Sequence, residues 1–191
     1  MATPNIVPRA DSEGGIGTAS KYWASAYIDA ITTTGNITVG GVITATTFNG
    51  IPFFSDATNN SMYTHDVSGT DSTAQYNTAY GFDALIAITT GDDNTAIGHD
   101  AGTAINTGYG NVLVGSNAGE SLTSGIRNIA IGFNALASED THHYNIAIGY
   151  RALQTQDAGA NAYNVAIGAE AGYAITTGVR NTLIGGLAGD A

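Results

Sequence analysis

The side chains able to do chemistry are few and scattered. Histidines at 65, 99, 142 and 143, with the acidic pairs Asp92-Asp93 and Glu139-Asp140, are the main material for a general base or a metal site. Catalysis by a nucleophile needs a base and an orienting group that converge on it, and no such trio recurs at a fixed offset. Gly15-Ile16-Gly17 opens like a dinucleotide loop, but Ser20 stands in the place of the third Gly or Ala and no strand-to-helix context follows. Gly115-Ser116-Asn117-Ala118-Gly119 sets its serine one place too early for a nucleophile elbow. Asn36-Ile37-Thr38 and Asn59-Asn60-Ser61 match glycosylation acceptors, which have meaning only in an exported eukaryotic context. The acidic pairs offer hard oxygen ligands. They lack Asp-x-Asp-x-Asp spacing, however, so solvated turns are expected, and His142-His143 reads as a surface turn where other copies of the local pattern carry Gly plus one residue. The expectation is no catalytic residue, no cofactor and no metal.

The elements that must position these residues are copies of one frame. It begins at Asn77, Asn94, Asn111, Asn128, Asn145, Asn164 and Asn181, with Gly at position five and Ala at position eight every time. The interval is 17 residues, with one exception of 19 between Asn145 and Asn164. Self-similarity at a fixed short period marks a solenoid, in which each rung buries its apolar side against its neighbours. Positions two and four carry the larger side chains, among them Ile97, Val114, Ile131, Ile148 and Ile167, while position three is Ala or Leu, as at Ala96, Ala130, Ala147 and Ala166. Neighbouring residues of a strand face opposite ways. One face is thus branched and the other small but apolar, so both are expected to be buried: the branched residues in a core, the alanines at a closely approaching second surface, with sister chains covering one of the two. The contour of a rung suffices for two short strands with turns, and the stack should stand roughly 30 Å tall. The position-one asparagines are expected to form a ladder in which each amide bonds the one above and below. Position nine is Gly where position twelve is Ile105, Leu122 or Ile175, and Leu where position twelve is Glu139 or Gln156, as though one apolar slot were filled from either place.

Composition narrows the partners. Only 11% of residues are charged and the formal net charge is −11, a field that repels phosphate and anionic lipid. Nucleic acid and membrane insertion are therefore not expected. Cysteine is absent, so burial must stabilise the fold without disulfides or thiolate sites. No segment approaches the roughly 20 apolar residues of a membrane span, and the N-terminus shows no basic start followed by an apolar run; synthesis in a cytoplasm is expected. Arg127 and Arg180 directly precede a frame asparagine and read as partners for nearby carboxylates.

Along the chain, residues 1–50 read as an arm and attachment segment with short Thr-, Ile- and Val-rich strands, 51–76 as a connector, and 77–191 as the repeats, six full and one partial. Tyr22, Trp23 and Tyr27 cluster in the arm. Such aromatics serve as interface anchors or as a small local core, and both readings stand.

The Asn-x-Ala-Ile-Gly-x-x-Ala frames resemble the head repeats of trimeric autotransporter adhesins and, more closely, the repeat tracts of phage tail-fibre proteins. Ile16-Gly17-Thr18-Ala19-Ser20-Lys21-Tyr22-Trp23, with Thr46-Thr47-Phe48-Asn49-Gly50, resembles N-terminal segments of phage fibre and other virion proteins. The resemblance implies an all-β repeat β-roll or β-solenoid prism, assembled as a homotrimer with a small N-terminal β segment. It implies a non-enzymatic virion protein, held by another virion protein through residues 1–50 and able to contact a host surface receptor or glycan. The adhesins' shorter repeats and membrane anchor, and the chaperone domain that ends many phage fibres, have no counterpart in this sequence. A capsid decoration or cement protein or a head fibre is the alternative, and a carbohydrate-binding or acyltransferase monomeric solenoid the third reading. The last frame, at Asn181, ends before its rung closes, which implies a cap from the trimer tip or from another protein.

Overall fold

The structure, a computed structural model, describes residues 47–48, 51–52, 54–56, 61–64, 73–159 and 161–190, which lie in the compact unit Thr44–Ala191. Tyr22, Trp23, Tyr27, His65 and nearly all of the attachment segment lie outside the described residues. Strands β1 (Thr47–Phe48) and β2 (Ile51–Pro52) form an antiparallel pair. A second sheet starts with the antiparallel pair β3 (Phe54–Asp56) and β4 (Ser61–Tyr63). It continues in parallel through β5 (Thr78–Tyr80), β6 (Thr95–Ile97), β7 (Val112–Val114), β8 (Ile129–Ile131), β9 (Ile146–Ile148), β10 (Val165–Ile167) and β11 (Thr182–Ile184). The protein is an all-β parallel solenoid, and the described residues include no helix.

Each frame contributes one three-residue strand, not two. The remainder of the rung is turn, because the backbone is bent at fixed places. Position-five glycines lie at φ between 124° and 145°, a region barred to side-chain-bearing residues. A Cβ on Gly115 would also lie 2.5 Å from the Gly132 carbonyl oxygen one rung on. Position seven is left-handed as well, at φ 54° to 59° in Asp83, Asp100, Asn117 and Asn134. Rung-to-rung hydrogen bonds continue through the turns, as where the Gly98 and Asp100 amides donate to the Tyr80 and Phe82 carbonyls, both at 2.9 Å. Turn backbone in the described rungs is thereby paired without long strands.

The register runs frame on frame, with Ala96 beside Leu113 and Ala130 beside Ala147. These position-three residues point into the coil and are fully buried, as are the position-eight alanines from Ala84 to Ala171. The faces are therefore the reverse of the assignment made from size: alanines line the chain's own core and the branched residues point outward. Turns this tight bring opposite walls so close that two alanine columns nearly fill the interior, leaving a single larger slot. On Gly119 a Cβ would meet Leu113 and Leu122 side-chain carbons at 2.8 Å, which is why positions nine and twelve exchange bulk. Where position nine is Leu136 or Leu153, position twelve turns polar yet stays inside, as Glu139 and Gln156, both with no exposed surface.

The stretch read as a connector supplies the first rung's neighbour. Ser61 takes the frame asparagine's part, its Oγ accepting the Asn77 amide hydrogen at 3.0 Å.

Candidate functional site

Three arrangements follow from this frame, and the largest is the outer strand face. Because position three faces inward, positions two and four must face out, giving a strip of β-branched residues along the stack. Ile97, Ile131 and Ile167 retain 41%, 37% and 38% of their surface, with Val114 and Ile148 half-buried in the same file. Aromatic residues at position six flank the strip: Phe82 is 81% exposed, and Phe133 stacks on Tyr150 with ring centroids 5.8 Å apart. An apolar face of this continuity marks a contact surface more than a solvated one. It offers no group for acid-base or nucleophilic chemistry.

The asparagine file is the second arrangement. Asn77, Asn94, Asn111, Asn128, Asn145 and Asn164 are all buried, and each Oδ1 accepts the backbone amide hydrogen of the next, from Asn94 N–H to Asn77 at 2.9 Å through Asn181 N–H to Asn164 at 2.8 Å. The Nδ2 groups of Asn77, Asn94, Asn111 and Asn128 donate to the position-fifteen carbonyl of their own rung, on Gly91, Gly108, Gly125 and His142 at 2.8 to 2.9 Å. This differs from the amide-to-amide ladder expected, which is seen only where Asn111 and Asn181 also donate to the preceding Oδ1, both at 3.0 Å. Each asparagine latches its own rung shut and seats the next one.

The third arrangement is a polar inset in two successive rungs. Glu139 is fully buried and its Oε1 touches Nδ1 of His142, itself only 8% exposed. The same Nδ1 lies 3.9 Å from Oδ1 of Asp140 and 3.9 Å from Oδ1 of Asp157. Burial holds the Glu139 carboxyl above the usual carboxylate range, against the opposing pull of His142. Glu139 Oε2, Gln156 Oε1 and Asn145 Nδ2 are buried without a hydrogen-bond partner. The solvated turn expected at Glu139 and the surface turn expected at His142 are thus corrected, for both side chains point into the coil. Two signals were present in the sequence. His142 takes a place held by Gly in most other rungs, and the single 19-residue interval begins three residues later.

The remaining candidates disperse. Asp92 Oδ1 accepts the Gln75 amide hydrogen at 2.8 Å, His99 pairs with Asp100 on the surface at 3.0 Å, and His143 Nδ1 accepts from the Ile126 amide at 3.0 Å. Arg127, expected to meet carboxylates, instead lies over the rings of Tyr109 and Tyr144, 5.6 and 6.0 Å from their centroids, and Tyr144 stacks on Tyr163 at 4.9 Å. Arg151 does pair with a carboxylate, that of Glu170, at 3.2 Å. Compared with known protein families, curated proteins and solved structures, the chain matches none of them.

Proposed function

We propose that this chain is a non-enzymatic structural protein of a phage particle, a homotrimer whose solenoids stand side by side with their outer strand faces turned to one another. The observation that carries the assembly is the in-register apolar strip from Tyr80 through Ile97, Val114, Ile131, Ile148 and Ile167. Identical chains present identical rung spacing, so a second copy matches such a strip rung for rung. Seven three-residue strands cover only about 330 Å², well short of the roughly 800 Å² per partner of a stable pairwise interface. Three strips around one axis also bring in the exposed flanking rings of Phe82, Phe133 and Tyr150, which add apolar area that the strips alone lack. Placement on a virion rests on the likeness of the frames to phage fibre repeats, and attachment through residues 1–50 on the aromatic cluster there.

Light scattering on the full chain tests the assembly, with three times the chain mass expected. Ile148→Asp, facing out, should yield a folded monomer, whereas the neighbouring Ala147→Asp, facing in, should unfold the coil by roughly 3 to 5 kcal/mol through an unpaired buried charge. A monodisperse, stable wild-type monomer would overturn the assembly. Copy number per purified particle separates a fibre from a capsid decoration protein.

A further inference from the structure

We propose that Glu139, Asp140, His142 and Asp157 form a binding site for a divalent transition-metal cation, with zinc as its best-matched occupant, joining the 19-residue rung to the rung before it. The inference is independent of any virion role.

One ligand atom from each of the four residues lies within 4.8 Å of the others. Their positions follow from the frame: Asp140 and Asp157 hold position thirteen in successive rungs, Glu139 holds position twelve and His142 position fifteen. Glu139 and His142 form a buried floor, and the side chains of Asp140 and Asp157, 52% and 63% exposed, form a mouth open to solvent. An ion can enter without unfolding the coil. Ligands sharing a tetrahedral zinc ion at about 2.0 Å are separated by roughly 3.3 Å, so each aspartate oxygen, 3.9 Å from His142 Nδ1, must close in by about 0.6 Å, and Glu139 Oε1, in contact with that nitrogen, must turn away from it as the ion enters.

An acidic cluster on a surface is common without any ion. What distinguishes this one is the interior side. Glu139 is fully buried and its Oε2 has no hydrogen-bond partner, a costly condition for a carboxylate. Gln156 Oε1, next to Asp157 in sequence, is in the same condition. The unpaired Glu139 oxygen, beside an imidazole and two further carboxylates, calls for a positive charge, which a divalent cation supplies. Nitrogen in the donor set favours zinc over calcium, magnesium and manganese, which suit oxygen donors.

The site also has a structural rationale. In the preceding rungs Nδ2 of the frame asparagine latches onto the position-fifteen carbonyl, but Asn145 Nδ2 has no partner, the two-residue insertion having carried that carbonyl off. A metal bridging position thirteen of both rungs would fasten this unlatched rung to the latched one before it.

The experiment is calorimetric titration of the chelator-stripped full chain with zinc chloride, repeated with manganese and calcium. One zinc per chain is expected, bound at least ten-fold more tightly than calcium. Glu139→Gln should weaken zinc at least ten-fold, as should the double variant Asp140→Asn/Asp157→Asn, whose exposed side chains leave the metal-free fold unchanged. Asp92→Asn/Asp93→Asn, an acidic pair elsewhere on the surface, should leave binding intact, and the His142 imidazole nitrogens should shift on titration by NMR. Absence of one-to-one binding in the wild type would overturn the proposal. So would wild-type affinity in the Asp140/Asp157 double variant, which decides the matter even if Glu139→Gln fails to fold.

Discussion

Rungs 111–127 and 145–163 share one frame and end up with opposite interiors. In the first, Asn111 donates to the Gly125 carbonyl at 2.8 Å, Leu113 and Leu122 fill the slot, and every buried side-chain polar atom has a partner. In the second, two additional residues follow Asp157, the latch is missing, and Gln156 occupies the interior. All three unpartnered buried atoms among the described residues fall in this rung or on Glu139 of the one before it. Closure alone does not set the coil's dryness, because rung 128–144 is latched by Asn128 to the His142 carbonyl at 2.9 Å and still buries Glu139. What the two polar rungs share is Leu at position nine, Leu136 and Leu153, which fills the slot and leaves position twelve to Glu139 and Gln156.

The sharpest way to break this comparison is at position fifteen. A Cβ on Gly108 would lie 2.5 Å from the Gly125 backbone carbonyl, whereas one on Gly159 meets nothing within 4 Å. Gly108→Ala should therefore cost about 3 kcal/mol or more by urea unfolding, in the range of severe backbone and packing defects. Gly159→Ala should cost about 1 kcal/mol, for its left-handed φ alone. Equal losses would mean that the insertion does not open the wall.

The asparagines give the next effect. Asn111→Ala removes the acceptor of the Asn128 amide and the donor to Gly125, and should cost about 3 kcal/mol by chemical denaturation, since each orphaned buried group costs about 1 to 3 kcal/mol. Asn145→Ala removes the acceptor of the Asn164 amide and of a long bond, 3.4 Å, from Gln156 Nε2, but no latch, so in metal-free buffer its cost should be smaller than that of Asn111→Ala. A reversed order would show that the latch contributes little.

The smallest effect lies on the surface, where Arg127 lies over Tyr109 and Tyr144, and Tyr144 in turn stacks on Tyr163 at the end of the 19-residue rung. Exposed cation–π contacts are worth about 0.5 to 1 kcal/mol, and Arg127→Ala should lower the thermal midpoint by a correspondingly small amount. A large drop would locate the coupling between the two regions outside the coil instead of within it.

The chain's own order of residues determined the period, the strand positions, the bends and the all-β solenoid, because each is a local matter. Glycine at position five is demanded by a backbone angle that no side chain tolerates, and alternation over Thr95, Ala96 and Ile97 can only be a short strand. Which face turns inward was not local. Alternation shows that two faces differ, but the diameter of the coil selects between them, and that diameter is set by turns whose consecutive left-handed bends bring Ala96 and Ala101 together. The partners of Glu139 likewise waited on tertiary structure. His142 is three residues away and Asp157 eighteen, and only the stacking of one rung on the next brings them to a common point.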